Sequence, residues 1–391
     1  MKKILLIILL IVSCSKSEYI EDVNDTPRNF LPLVISQNTT LTPDINWILQ
    51  GRTIVTDGAT LTIEPGTVIK GKGGSGTDAS CLLIARGAKI NAVGTVDKPI
   101  IFTSIADSTG LEVSNRGLWG GLLVLGKAPG SFKGDVSEYQ IEGIPASDTR
   151  GLYGGNIPDD NSGVLKYISI RHGGISIGAG NEINGLTLAG VGNKTIIENI
   201  EVYANVDDGI EFFGGTVNAS NLIVWGQGDD GLDIDQSYSG EINNAVVILE
   251  QPSDHGLEID GPEGSMEDSF KLKNITLIGN KSAYDGEYAD FRSNAMGEIS
   301  NVYAYNFKNE SDVELDNDKV AENYNNNILN FNNWEIKLPE GIVDVKTLFV
   351  NKADSITTPS FGNFAKSVNV PTTGADLSYF NWTLAKKYNK F

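Results

Sequence analysis

The heptad DGLDIDQ, residues 230–236, belongs to a set of similar segments that decides the fold. NGLTLAG (184–190), DGIEFFG (208–214) and HGLEIDG (255–261) share its pattern, and YADFRSN (288–294) is a looser fifth copy. The second-position glycines of the four closer copies are 24, 22 and 25 residues apart: Gly185, Gly209, Gly231 and Gly256. A period of this length, made of short strands and turns without helices between them, predicts a solenoid of stacked coils.

A second short strand follows each heptad, and an asparagine stands at a fixed place in it. The five asparagines are Asn199, Asn221, Asn244, Asn274 and Asn301. Together with 44 glycines and almost no helical periodicity, this pattern predicts an all-β chain folded as a right-handed parallel β-helix, a solenoid with terminal caps. Adjacent coils of such a fold are about 4.8 Å apart, so we expect the asparagines to stack in a hydrogen-bonded ladder.

The predicted β-helix covers residues 33–310. A long polar and glycine-rich insertion at 127–163 interrupts it, and loops of that length on a regular scaffold are functional or disordered. Residues 311–391 are expected to form an irregular C-terminal capping region, because an open solenoid needs its edge strands covered. Within that region the segment 374–388 would close the last coil through Leu377, Phe380 and Leu384.

The N-terminus has the layout of a secretory signal, since Lys2 and Lys3 precede nine apolar residues and then Ser13 and Cys14. The apolar run is too short to span a membrane as a stable helix. The run IVSC resembles the lipobox of bacterial lipoproteins, which implies cleavage before Cys14 and lipid on its sulfur and amine. We therefore predict a signal peptide at 1–13, a lipidated tether at 14–32, and a protein anchored by lipid to the outer membrane at the cell surface.

The charge of the chain narrows its partners. The formal net charge is -20, which argues against nucleic acid and bare phospholipid surfaces because both reward basic proteins. An extracellular glycan or an envelope protein remains as partner, with membrane contact through the lipid anchor only. Cys81 is the only cysteine after Cys14 and is expected to be a small buried residue, and with only two histidines, His172 and His255, a structural zinc site is not expected.

Strand alternation decides where the acidic side chains of the heptads point. Leu232 and Ile234 must face the core, so Asp233 and Asp235 face outward. The same logic predicts two neighbouring outward rows, whose candidate ligand-binding residues are Glu211, Asp233, Asp235, Glu258, Asp260, Asp290 and Arg292. Stacked carboxylates of this kind raise pKa values, bind a hard cation or stay in water. No cofactor is required, and calcium is the ion expected if Asp233, Asp235, Glu258 and Asp260 hold one.

The turns VDDG, GDDG and SDHG, followed by DFRSN, resemble successive motifs of polygalacturonases, which are pectin-cleaving glycoside hydrolases with a β-helix fold. The resemblance covers about 90 residues. It implies catalytic roles for Asp208, Asp229, Asp230 and His255, with an acid and a water-activating base among the aspartates, and a substrate-carboxylate contact for Arg292. The sequence departs from the family at Asn294, where a substrate-binding lysine is expected. Asp-Gly is also the usual chemistry of a tight turn, so the acidic turns are explained by the repeat alone as well.

A broader resemblance runs from about residue 60 to 300. EPGTVIKG, RGAKINAVGTVDKPIIFTS, GLWGGLLVLGKAP and DNSGVLKYISIRHGG are similar to stretches shared by poorly characterised β-helix lipoproteins of Gram-negative bacteria. This resemblance implies fold and location rather than chemistry.

Three functions follow as expectations from these patterns. The leading one is non-catalytic binding of a glycan or protein partner along the β-helix face, with Trp119, Trp225 and Tyr203 as sugar-stacking candidates. A polysaccharide hydrolase or lyase acting through the acidic residues is the alternative. A structural surface spacer or adhesin is the third.

Overall fold

The computed structural model describes residues 28–74, 79–178 and 181–391. The predicted signal peptide, Cys14 and the first half of the predicted tether lie outside these residues. Within the described part of the chain, no helix has the length and apolar character needed to cross a membrane.

The described chain consists almost entirely of short β-strands. In chain order they are β1 Arg28–Phe30, β2 Val34–Ile35, β3 Thr39–Leu41, β4 Asn46–Leu49, β5 Arg52–Val55, β6 Thr60–Ile63, β7 Val68–Gly71, β8 Cys81–Ile84, β9 Lys89–Val93, β10 Ile100–Ser104, β11 Leu122–Leu125, β12 Tyr139–Gln140, β13 Leu152–Tyr153, β14 Gly163–Arg171, β15 Ile175–Gly178, β16 Asn181–Ile183, β17 Leu186–Ala189, β18 Ile196–Tyr203, β19 Ile210–Phe213, β20 Ala219–Trp225, β21 Leu232–Asp235, β22 Glu241–Ile248, β23 His255–Ile259, β24 Phe270–Ile278, β25 Glu287–Phe291, β26 Gly297–Tyr305, β27 Val313–Leu315, β28 Leu329–Ile336, β29 Phe349–Asn351 and β30 Ala365–Ser367. The two α-helices are α1 Asp318–Asn325 and α2 Leu384–Lys387.

Two long parallel sheets form the walls of the solenoid. The eleven-stranded sheet, which we call the front sheet, has the order β2-β5-β8-β11-β17-β19-β21-β23-β25-β27-β29. The fifteen-stranded back sheet runs from β1 through β4, β7 and β10 to β14 and on to β30, and β3, β6 and β9 join it at β14. Each strand pairs with its counterpart about one coil away, so the predicted parallel β-helix is confirmed.

The fixed asparagines form the corner of each back-sheet strand. In the N-terminal coils two separate strands, β9 and β10, both pair with β14, on either side of Tyr167. From β14 onward, one residue with positive φ makes the bend, for example Asn221 at 56° and Asn244 at 67°. Asparagine tolerates this left-handed conformation better than most residues, which explains why it recurs there.

The predicted asparagine ladder is confirmed. Asn244 Nδ2 donates to Asn221 Oδ1 at 2.7 Å and Asn301 Nδ2 donates to Asn274 Oδ1 at 3.1 Å. The ladder continues to Asn333, which the repeat search did not include and whose Nδ2 donates to Asn301 Oδ1 at 2.9 Å.

The insertion at 127–163 is folded onto the outer side of the front sheet. There Ile54, Leu83 and Leu123 point away from the solenoid interior and pack with Phe132 and Tyr153 in a second apolar core. Cys81 lies in the same core, fully buried as predicted, and burial raises the pKa of its thiol to about 12. The insertion is thus a structural cover for the N-terminal coils of the front sheet.

The C-terminal segment does not close the last coil, so that prediction is wrong. Residues 372–391, which we call the strap, run back across the outer side of the back sheet. Asp376 N donates to Asn244 Oδ1 at 2.6 Å, and Leu384 N donates to Glu201 Oε1 at 2.6 Å. Phe380 is buried against the middle coils, whereas Leu377 is largely exposed. An apolar stretch at the end of a chain can cover any apolar face, and sequence alone does not say which.

The parallel sheets also continue past the boundary predicted at residue 310. Strands β27 and β29 extend the front sheet and β28 and β30 extend the back sheet, so the regular solenoid reaches Ser367. The asparagine-rich stretch at 322–335 contains the end of α1 and most of β28. Longer connections between the last strands hide the period there.

Candidate functional site

The outward acidic row of the front sheet has the predicted register. Thr187 pairs with Glu211, Glu211 with Asp233, Asp233 with Glu258, and Glu258 with Asp290. The row continues to Glu314, which pairs with Asp290 and which the sequence analysis missed. The segment VEL at 313–315 repeats the outward position 24 residues after Asp290, and that spacing was the available signal. We call Glu211, Asp233, Glu258, Asp290 and Glu314 the acidic ladder.

These carboxylates point outward but are covered. Glu211 is 5% exposed, and Asp233 and Asp290 are each 7% exposed. At the N-terminal end of the ladder, Asn184 Nδ2 donates to Glu211 and, at 3.5 Å, to Glu142 of the insertion. Asp233 and Asp290 each have one buried carboxylate oxygen without a hydrogen-bond partner among the described residues. Buried carboxylates with unmet oxygens are costly unless a proton or a cation compensates them.

The pKa values of the ladder reflect this burial. Desolvation, followed by the charges of neighbouring carboxylates, raises the pKa of Asp208, Glu211 and Asp233 well above the usual range. The same two causes raise the pKa of Asp235 and Glu258 to about 8 and that of Asp290 to about 6. The ladder therefore binds protons near neutral pH, or exchanges them for a cation.

One carboxylate binds the histidine at the start of strand β23 in two ways. Asp230 Oδ1 accepts from the backbone N of His255 and lies 2.8 Å from its ring Nδ1. Asp208 Oδ1 accepts from Asp230 N at 2.9 Å, so successive turns are tied to one another. The Nε2 atom of His255 faces Asp254, at 3.7 Å from its Oδ1. Asp230 thereby fixes both the backbone and the ring of His255.

His255 carries a proton in this environment. Burial alone would lower its pKa, but the hydrogen bond and charge of Asp230, with Asp254 and Glu258, raise the pKa to about 10. Asp229 is the exposed carboxylate beside it, and desolvation together with Asp230 raises its pKa only to about 6. At pH 7 to 9 a proton donor and a proton acceptor therefore lie on the same edge of the front sheet.

The rim has a third acidic group. Desolvation and the charge of Glu142 raise the pKa of Asp207 to about 8. Oxygens of Asp207, Asp208 and Asp229 all lie within 4.8 Å of one another. This is tighter than the roughly 6.5–9.5 Å between the two carboxyl groups of inverting glycosidases. These aspartates therefore do not form the water-activating pair that the resemblance implied.

The four residues expected to hold calcium are not gathered into one site. Arg292 Nη2 bonds to both Glu258 Oε2 and Asp260 Oδ2, at 2.5 and 2.6 Å, which occupies two of the four. Asp233 instead converges with Asp208 and Glu211, with ligand oxygens within 4.8 Å of one another. The sequence analysis could not foresee this, because Asp208 belongs to a turn and its side-chain direction is not set by strand alternation.

The convergent carboxylates fit a hard cation. Asn184 is 1% exposed, its amide nitrogen is fixed by Glu211, and its Oδ1 has no partner among the described residues. The cluster therefore combines three carboxylates with one orphaned amide oxygen, an all-oxygen set of the kind calcium prefers. A second acidic cluster, of Glu287, Asp312 and Glu314, lies further along the front sheet and is neutralised in part by Lys352.

The aromatic residues suggested for sugar stacking are not available for it. Trp119 is fully buried in the main core, and Trp225 and Tyr203 lie beneath the strap. His172 is buried as expected, with Nδ1 2.6 Å from the carbonyl oxygen of Asn115. The candidate site is therefore polar, and it consists of the acidic ladder and the rim residues Asp207, Asp208, Asp229, Asp230, Asp254 and His255.

Fold and site together define a parallel β-helix protein with a carboxylate-rich front face. The family model of the pectate-lyase-like beta helix domain matches residues 33–386, so the chain belongs to that family. Among solved structures, a family 28 exopolygalacturonase of Yersinia enterocolitica is similar, at 12% identity and a TM-score of 0.26, over 82% of this chain and 74% of that chain. No curated protein matches the chain.

Proposed function

We propose that the protein cleaves a polysaccharide by acid–base catalysis at the rim of the front sheet. The observation that carries this proposal is the arrangement of His255, which Asp230 fixes through two contacts so that Nε2 points toward the exposed edge. A positioned donor of this kind, next to an exposed carboxylate, is the minimal equipment for breaking a glycosidic bond. Membership of the pectate-lyase-like family supports a polysaccharide as substrate.

Each residue of the rim has a distinct role in this proposal. His255 donates its Nε2 proton to the oxygen of the leaving sugar. Asp229 accepts the proton removed from water or from the sugar ring. Asp230 acts as a positioning residue, since it sets the ring orientation of His255 and keeps the ring protonated. Asp208 supports Asp230 through the backbone hydrogen bond.

Calcium is the proposed cofactor, and Asp208, Glu211, Asp233 and Asn184 would hold it. A bound calcium ion would supply positive charge for a sugar carboxylate on an otherwise acidic face. Arg292 is unsuited to that task by itself, because two of its hydrogen bonds already go to Glu258 and Asp260. A neutral polysaccharide needs no such bridge, and both kinds of substrate belong in the test.

The proposed location is the cell surface, with Cys14 lipidated and the β-helix held on the short tether. Metabolic labelling with an alkyne-tagged fatty acid checks this. We expect label on the wild-type protein and none on Cys14→Ser, and protease treatment of intact cells should remove the β-helix. Retention of label in Cys14→Ser would contradict the lipid anchor.

Activity on a panel of neutral and uronate polysaccharides, with and without calcium, tests the cleavage. We expect His255→Gln and Asp229→Asn each to lose roughly 10²–10⁴-fold in kcat. Asp159→Asn, which removes an exposed carboxylate paired with Lys194 in the insertion, is the matched control and should be unaffected. An unsaturated product would indicate elimination, and a new reducing end without it would indicate hydrolysis.

Non-catalytic glycan binding is the second candidate function. It is favoured by the short separation between Asp207, Asp208 and Asp229, which leaves no room for an attacking water between these carboxylates. A glycan that binds with measurable affinity and is recovered uncut after prolonged incubation with wild-type protein would establish binding in place of cleavage.

A further inference from the structure

The N-terminal coils carry a cationic cleft on the far side of the insertion from the acidic ladder. Arg52 comes from β5, Arg86 from the turn after β8, Lys127 from the segment after β11, and Arg150 from the insertion. In front-sheet pairing, β5 is four strands away from β19, where the acidic ladder begins. At about 4.8 Å per strand, the two regions are about 19 Å apart.

Two adjoining cavities form this cleft. A cavity of about 480 Å³ is lined by Arg86, Lys127 and Arg150, and one of about 520 Å³ by Arg52 and again Arg150. Cavities of this size accommodate one or two sugar rings. Leu33 and Val34 line the second cavity and Ile157 the first, and all three are substantially exposed. The cleft therefore offers apolar surface for a sugar ring beside cations for a charged group.

Two of the four cations have unused binding capacity. Arg86 bonds to Glu138 and to the carbonyl oxygen of Gly154, and Arg150 bonds to Asp148. Arg52 instead has a buried Nη1 with no hydrogen-bond partner among the described residues. Lys127 has no carboxylate within ion-pair distance in the same part of the chain. A buried guanidinium nitrogen without an acceptor is costly, and an anionic ligand oxygen would relieve that cost.

The turn after β8 is shaped to admit the charged side chains. Gly87 has φ of 81°, and a Cβ there would lie 1.9 Å from Asp57 Oδ1 and 2.9 Å from Lys127 Nζ. Only glycine leaves room for both side chains above the turn. The ammonium of Lys127 is thereby held at the cleft in a chain whose overall charge is -20.

We propose that the cationic cleft binds an acidic sugar, with the anionic group between Arg52 and Arg150 and the ring against Leu33, Val34 or Ile157. This site is separate from the acid–base rim and does not depend on the proposed cleavage. Its chemistry is opposite to that of the acidic ladder, since the cleft needs no bridging cation. An acidic glycan can therefore be held by the N-terminal coils while the front sheet further along remains free.

Calorimetric titration of the whole soluble β-helix in the presence of a calcium chelator tests the proposal. The probes are a galacturonate trisaccharide, its neutral methyl ester, inorganic sulfate and a tetra-aspartate peptide. We expect the acidic trisaccharide to bind at least tenfold more tightly than the other three, since charge-assisted hydrogen bonds are at stake. The chelator removes any calcium-bridged binding on the acidic ladder.

Variants assign the binding to the cleft. Arg52→Gln should weaken trisaccharide binding by about tenfold or more, and Arg52→Lys by less because it keeps the charge. Lys127→Gln provides a second variant should Arg52→Gln lower the melting temperature. Lys319→Ala, which removes one exposed cation on α1, is the control and should bind like wild type. Polysaccharide cleavage by Arg52→Gln should be unchanged on a short substrate.

Three results would overturn the inference. Equal affinity for the acid and its methyl ester would remove the role of charge. Unchanged affinity in both Arg52→Gln and Lys127→Gln would place the site elsewhere. Binding of sulfate or of the peptide as tight as that of the trisaccharide would show that the cleft recognises a free anion or an acidic peptide, not a sugar.

Discussion

Two ladders of identical residue type run along this solenoid, and they exist for different reasons. The asparagines of the back sheet occupy corners with positive φ, for example 67° at Asn244, where the backbone itself favours asparagine. The acidic ladder of the front sheet occupies ordinary strand positions such as Asp233, where the backbone has no need of a carboxylate. A repeated residue indicates function only when the geometry of the repeat does not already require it.

The N-terminal coils of the same front sheet sharpen this contrast. There the outward row reads Ile54, Leu83 and Leu123, and the insertion covers it. Identical backbone positions thus carry apolar residues in one half of the sheet and carboxylates in the other. The fold accepts either, so the change along the row reflects what lies on top of it.

The largest expected effect comes from breaking the asparagine ladder. Asn244→Val places a β-branched residue at positive φ and removes hydrogen bonds to Asn221 and to the strap. Strain of about 1–2 kcal/mol and roughly 1 kcal/mol per lost hydrogen bond give a loss of about 3 kcal/mol in unfolding free energy. Denaturant unfolding measures it.

Asn244→Gly separates the two causes. It loses the same hydrogen bonds without the strain, so it should cost about 1–2 kcal/mol less than Asn244→Val. Equal losses for the two variants would mean that the corner geometry does not select asparagine, and the distinction between the ladders would fail.

Calcium should act on the other ladder only. At a concentration about a hundredfold above its dissociation constant, a bound ion raises the unfolding free energy by about 2.7 kcal/mol. We expect a calcium-dependent rise in melting temperature that Asp233→Asn abolishes and Asn244→Gly retains. Magnesium is the ionic control. A rise that persists in Asp233→Asn would place the ion elsewhere, with the cluster of Glu287, Asp312 and Glu314 as the next candidate.

Sequence reasoning reached the two ladders unequally. The period and alternation were enough to predict the parallel β-helix, the stacked asparagines and the outward direction of Glu211, Asp233, Glu258 and Asp290. These features repeat along the chain, so each copy supports the others. Glu314 and Asn333 were missed because the connections lengthen toward the C-terminus.

The covering segments were beyond sequence reasoning. The strap lies on the back sheet rather than on the last coil, and the insertion forms a second apolar core rather than an open binding loop. Burial of the acidic ladder, and hence its raised pKa values, depends on those covers. The pairing of Asp230 with His255 and of Arg292 with Glu258 and Asp260 likewise depends on side-chain directions in turns, which alternation does not determine.

The pH dependence of stability should distinguish the ladders by a smaller amount. The pKa values of Asp235 and Glu258 are raised to about 8 in the folded chain, so folding takes up protons between about pH 4 and pH 8. Stability from these groups is complete below about pH 4 and is lost as the pH rises through 8. Each proton contributes a slope of about 1.4 kcal/mol per pH unit.

Unfolding free energies measured from pH 5 to pH 8 check this slope. Asp235→Asn should flatten the decline, because it removes one proton uptake. The pKa of Asp159 is lowered by Lys194, so Asp159→Asn should leave the slope unchanged. A decline of equal steepness in Asp235→Asn and wild type would show that the row beside the ladder does not take up protons on folding.

The smallest effect has the opposite sign from that of an ordinary buried mutation. Asp233→Leu removes a buried carboxyl that lies between Glu211 and Glu258 and has an oxygen without a partner. Replacing buried charge by apolar volume is often neutral or stabilising, so we expect the unfolding free energy at pH 8 to rise by about 1 kcal/mol. The same change should abolish the calcium response, because the ion loses a ligand. A leucine that stabilises the protein and removes its ion site would mean that the acidic ladder is kept for its chemistry at a cost in stability. If Asp233→Leu instead destabilises the protein by more than about 1 kcal/mol without calcium, the fold requires the carboxylate after all, and the two ladders are of the same kind.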